Sequence, residues 1–195
     1  MDRRHSLHSP PFQLAVFIVL SAVMLLARTH SLSASLHLPN TGYASFFVLG
    51  YFVHRAIGFA ALVLLGFVVD VLIFSMFGGS GFCFTPGYWL LAPAHGVMWL
   101  GGRLAAARLD ERPAALPSLA IALAGATFVA NLLSSGGFYF LGGRYADPTI
   151  AGFLPRIARY FPGVLLASLL WTGVAAAIYA AIVAMRPDLR REPAR

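Results

Sequence analysis

Ile57-Gly58-Phe59-Ala60-Ala61-Leu62-Val63-Leu64-Leu65-Gly66-Phe67-Val68-Val69-Asp70-Val71-Leu72-Ile73-Phe74-Ser75-Met76-Phe77 carries one ionisable residue, Asp70, in an otherwise apolar run. About 20 such residues, wound as a helix, match the hydrocarbon thickness of a bilayer. Backbone groups cannot stay unpaired in hydrocarbon, so helix is the expected conformation. Similar runs recur on both sides along the whole chain. Of its 195 residues 59% are hydrophobic and 11% charged, with mean hydropathy +0.77. A soluble domain carries about 25% charged residues. The composition therefore implies an all-α polytopic membrane protein forming a single transmembrane domain over 1–195, with no soluble domain beside it.

Six transmembrane helices are expected, at about 12–27, 41–53, 57–77, 88–107, 116–138 and 160–185, the second of them short. The net charge of +7 comes from fourteen arginines without a lysine. They cluster at span ends, which marks them as topology signals rather than a nucleic-acid footprint. With the N-terminus inside, ten arginines (Arg3, Arg4, Arg55, Arg103, Arg108, Arg112, Arg186, Arg190, Arg191, Arg195) are cytoplasmic. Four, Arg28, Arg144, Arg156 and Arg159, lie outside. Both termini are accordingly expected in the cytoplasm. A cleaved signal peptide is the alternative for the first span, although its apolar run is long for one. The outer segments Thr29–Asn40, Gly78–Gly87 and Gly142–Phe161 are rich in Gly, Pro and aromatics, as suits a binding mouth. The inner turn Leu109–Pro113 is short and charged.

Cys83 is the only cysteine, so no internal disulfide can form. It stands in Gly78-Gly79-Ser80-Gly81-Phe82-Cys83-Phe84-Thr85-Pro86-Gly87-Tyr88-Trp89, where the chain must leave the helix. A soft sulfur on an irregular, aromatic-lined outer loop is placed like a ligand. Asp70 is costly inside a membrane and needs a cavity or a partner. Its structural reading is a pair with an arginine or a hydrogen bond between helices; its functional reading is a polar contact lining a cavity. Arg156 follows Pro155 near the start of the last span, either snorkelling to headgroups or facing the outer cavity, with Arg159 a poorer candidate. Tyr88 and Trp89 fit an interfacial belt, or Tyr88 shares a ligand with the thiol. His95 and Asn131 read as bundle residues, the asparagine joining helices by a side-chain hydrogen bond. His5, His8, His30 and His37 have no metal-ligand spacing. No phosphate-binding loop, nucleophile elbow or paired acidic site is present. Uphill movement of a solute would draw on a gradient or on other subunits.

Six spans, outer binding loops and no motor resemble the substrate-binding S-components of energy-coupling factor vitamin transporters. Within that group the chain is most similar to the BtuM family of solitary cobalamin S-components. The residues that carry the resemblance are Gly81 to Trp89, Asp70 and the Pro155-Arg156 step. The resemblance implies a cobalamin-binding protein of the bacterial inner membrane. In it the Cys83 thiolate is the axial cobalt ligand, and Asp70, Tyr88 and Arg156 are polar contacts of the same site. The expected partners are cobalamin, the lipid bilayer and either an energy-coupling module or none, with no nucleic acid. The first span, Ala15-Val16-Phe17-Ile18-Val19-Leu20-Ser21-Ala22, lacks the Ala-x-x-x-Ala pattern at which many S-components dock on a coupling subunit, which suits a solitary mode.

Thiolates are strong donors to soft transition metals, and coordination would displace the thiol proton. Bound to cyanocobalamin, Cys83 could also promote loss of cyanide, a catalytic role on the cargo. The rival expectations are an S-component for another vitamin, a membrane-embedded thiol enzyme with Cys83 as nucleophile and His95 as base, and an assembly subunit without a ligand.

Overall fold

A computed structural model describes residues 9–28, 39–53, 55–77, 84–110 and 112–185. Among them all regular secondary structure is helical, as the composition requires. Six α-helices follow in order: α1 (Pro10–Arg28), α2 (Gly42–Phe52), α3 (Ala56–Phe77), α4 (Leu91–Arg108), α5 (Leu116–Leu141) and α6 (Ile150–Met185). Short 3-10 turns at Pro86–Leu90 and Pro113–Ala115 lead into α4 and α5. Each opens on a proline, whose fixed φ suits a first helical position.

Four stretches are long and apolar enough to cross a membrane: Pro10–Ala27, Ala56–Met76, Pro113–Leu141 and Ile150–Met185. The protein is thus a multi-pass helical membrane bundle. The other two expected spans differ in kind. α2 has 11 residues, about 16 Å of helix, roughly half the thickness of the hydrocarbon. It lies against α1, α3, α4 and α6, and every residue from Ala44 to Gly50 is buried. α4 is long enough but is diluted by His95, Arg103 and three glycines.

The α2–α4 crossing depends on glycine. A side chain on Gly50 would collide with the Trp99 carbonyl, and one on Gly102 with the Phe47 carbonyl. Without Cβ atoms the two backbones meet directly, the close approach that small residues allow between membrane helices. Phe46, Phe47, Leu49, Leu62, Met98 and Leu123 fill the interior around this contact, each at most 2% exposed. Ile18, Ile57, Leu64, Ile121 and Ile178 are each more than half exposed, an apolar exterior suited to lipid rather than water.

The expected boundaries hold within a few residues for α1, α2, α3 and α5 and need correction at the starts of α4 and α6. The last helix starts at Ile150, not near residue 160, so Gly142–Phe161 is a loop only as far as Thr149. Pro155, Arg156 and Arg159 interrupt the apolar run and hide this start. The helix is nevertheless nucleated upstream, where Thr149 Oγ1 accepts the Gly152 N–H at 3.1 Å, a side-chain cap. Pro155 and Pro162 lie inside the helix without ending it. The expected fourth span also starts late as an α-helix, because residues Pro86–Leu90 form the 3-10 turn.

The helices alternate in direction, so the start of α1 and the end of α6 share one end of the bundle. There Phe12 meets Phe52 at 5.8 Å between ring centres, and Phe52 meets Tyr179 at 5.2 Å. The opposite end, where α1, α3 and α5 finish, carries the site.

Candidate functional site

At that end a cavity of about 1020 Å³ opens between all six helices and the turn before α4. Asp70, Tyr88 and Arg156, far apart in sequence, all line it.

Asp70 lies on the inward side of α3, half-buried. The Tyr88 hydroxyl donates to its Oδ2 at 2.7 Å, a charge-assisted contact when the carboxylate is ionised. Tyr88 is fixed by its turn: its N–H donates to Thr85 O at 2.8 Å, and Gly87 presses so closely on the Gly137 backbone that a Cβ there would collide. Phe84 stacks on Tyr88 with ring centres 5.1 Å apart, and Phe74 of α3 meets Phe84 at 5.3 Å. Asp70 therefore makes a hydrogen bond between elements and stands in a cavity wall.

Arg156 sits in the second turn of α6, half-buried, and belongs to the helix because α6 starts at Ile150. Its guanidinium lies 5.0 Å from the ring centre of Tyr145, 5.7 Å from Tyr160 and 5.8 Å from Tyr139, within cation–π range of all three. Arg144 also lines the cavity near its mouth. Arg159 does not line it and lies over Tyr160 at 5.6 Å. Trp89, 69% exposed, stacks on Phe67 and is outside the lining, consistent with an interfacial residue.

Cys83, expected as cobalt ligand and reactive thiol, lies outside the described residues. Phe84, the next residue in the chain, lines the cavity. His5, His8, His30 and His37 lie outside them as well. Among the described residues no cluster of three or more His, Cys, Asp and Glu side chains could hold a metal ion.

The enclosed part of the wall is polar. His95 is buried, stacked on Phe46 at 4.2 Å and edge-on to Tyr43 at 6.1 Å. The hydroxyls of Tyr43 and Ser134 form a short hydrogen bond across α2 and α5. Asn131 departs from its expected role. Its Oδ1 accepts the Ser135 hydroxyl of the same helix at 3.0 Å, so that bond joins no helices. Tyr43, Ser134, Tyr139, Tyr145 and Tyr160 were not legible as site residues. The available signals were the Asn131-x-x-Ser134-Ser135 spacing, which puts polar groups on one helix face, and the tyrosines clustered about the third outer segment.

A second, more apolar cavity of about 520 Å³ lies at the other end between α2, α6 and the start of α5. Asp110 and Arg112 line it beside Phe47, Tyr51 and Ala176.

No protein-family model and no curated protein matches the chain.

Proposed function

We propose that the protein binds cobalamin in the large cavity and mediates its uptake across the bacterial inner membrane, with the Cys83 thiolate as axial cobalt ligand. On this reading α2 and α4 complete a bundle of six membrane-embedded helices, both termini are cytoplasmic, and the cavity faces outward. The single observation that supports it best is the convergence of Asp70, Tyr88 and Arg156 on one cavity, which the chain enters immediately after Cys83. The volume of about 1020 Å³ is at the upper end of ligand pockets, about 300–1,000 Å³, as a bulky cargo requires. Aromatic rings from Phe74, Phe84 and Tyr145 offer flat apolar surface to a corrin ring, and the polar trio offers hydrogen bonds to its amide arms. A coupling module is not required by the first helix, which lacks the usual docking pattern.

Ligand exchange at cobalt(III) follows from a sulfur in the axial position. The thiolate contributes the electron pair of a new cobalt–sulfur bond while the lower base leaves the metal. Cyanide opposite it would then depart with its own pair and take up the proton released by the thiol, and a water molecule would take its place on the metal. No electron is transferred.

The test is equilibrium dialysis of purified protein against cyanocobalamin, with free cyanide measured in parallel. The proposal expects near-stoichiometric binding and cyanide release by wild type, and loss of release in Cys83→Ala. Absence of binding by wild type would return the site to another vitamin or to the thiol chemistry of Cys83 and His95. The latter has its own supporting observation, since His95 lines the same cavity.

A further inference from the structure

Asn131 is a polar residue of the cavity wall whose bonding is incomplete among the described residues. It is 3% exposed and lines the enclosed part beside His95, Ser134 and Ser135. Its Oδ1 is occupied by the Ser135 hydroxyl, while its Nδ2 has no hydrogen-bond partner among the described residues. A buried amide donor left without an acceptor costs more than the bond itself would contribute. An asparagine kept to join helices would make its bonds across an interface; this one bonds along its own helix and turns the remainder toward a cavity.

None of the hydroxyls of the wall takes its two amide hydrogens. The Tyr43 and Ser134 hydroxyls are committed to each other, and the Ser168 hydroxyl donates to Val164 O at 2.9 Å. The charged groups of the wall lie elsewhere: Arg144 is exposed, and Arg156 and Asp70 are half-buried toward the mouth. An anion entering the site would stay with the arginines. A neutral carbonyl oxygen suits the enclosed end, where it meets a neutral donor with little desolvation cost.

We propose that Asn131 is a ligand-contacting donor, its Nδ2 hydrogens accepted by a carboxamide oxygen of the cargo. The inference rests on the cobalamin reading, because the amide arms of a corrin ring supply such oxygens at its periphery. It goes further by assigning one of them to a named atom on α5.

The experiment measures cyanocobalamin affinity by fluorescence quenching, and ligand-free unfolding temperature, for detergent-purified wild type and Asn131→Leu. The expected result is affinity lowered about tenfold, the size of one well-made hydrogen bond, with the ligand-free unfolding temperature unchanged or raised. Asn131→Ala, which adds no bulk, makes the same comparison if leucine does not fit. Wild-type affinity in both variants would overturn the inference and leave the cobalamin reading standing. A lowered ligand-free unfolding temperature in both would overturn it in favour of a structural role. Failure of wild type to bind cyanocobalamin would overturn the cobalamin reading and this inference with it.

Discussion

The Tyr88 hydroxyl donates to Asp70 Oδ2 at 2.7 Å, joining the turn that leads into α4 to the middle of α3. One bond thereby gives an intramembrane carboxylate a donor and fixes a cavity-lining tyrosine. Tyr88→Phe leaves the carboxylate short of a donor in a half-buried site, at a cost of about 1–3 kcal/mol. A double-mutant cycle on unfolding with Asp70→Asn, Tyr88→Phe and the double variant should show effects well short of additive. Strict additivity would mean that the bond contributes nothing.

The α2–α4 crossing makes a second prediction, independent of any ligand. Gly50→Ala and Gly102→Ala each place a methyl group on an opposing carbonyl and should destabilise by about 1–3 kcal/mol or more. Gly125→Ala and Gly173→Ala, where nothing lies within 4 Å, should match wild type or exceed it, since alanine favours helix. Unfolding temperatures in detergent separate the pairs, and equal behaviour of all four would contradict the crossing.

Arg156 and Arg159 are three residues apart and should behave differently. Arg156 lies among three tyrosines in the cavity wall, whereas Arg159 is outside the lining. Arg156→Leu should weaken cyanocobalamin binding about tenfold or more, the loss of one charged contact. Arg156→Lys should recover only part of this, because ammonium does not stack as a planar guanidinium does. Arg159→Leu should bind as wild type. Titration of the three variants decides, and equal losses at both positions would remove the distinction.

The residues that were legible in sequence are those whose placement is expensive. Asp70 stands out because a carboxylate within an apolar run needs a reason, and α3 because its run is unbroken. The start of α6 was hidden, since Pro155, Arg156 and Arg159 imitate a loop while the signal that begins the helix is one hydroxyl, Thr149. The short length of α2 was visible but its central position was not. Contact with lipid and burial among helices both ask for apolar residues, so the pattern does not separate them. Tyr43 and Ser134 are cheap in a helix and meet across 91 positions of chain, a pairing that only the tertiary fold creates. Arg156 was legible as a candidate, but the rings around it belong to three different segments.

The central claim is that a sulfur of this chain binds cobalt. Cobalt K-edge X-ray absorption on the purified cobalamin complex tests it at the atom concerned. The account predicts one sulfur neighbour of cobalt in wild type and none in Cys83→Ala, with the visible spectrum of the bound corrinoid changing in step. A wild-type complex whose cobalt has only nitrogen, oxygen or carbon neighbours, indistinguishable from Cys83→Ala, would contradict it.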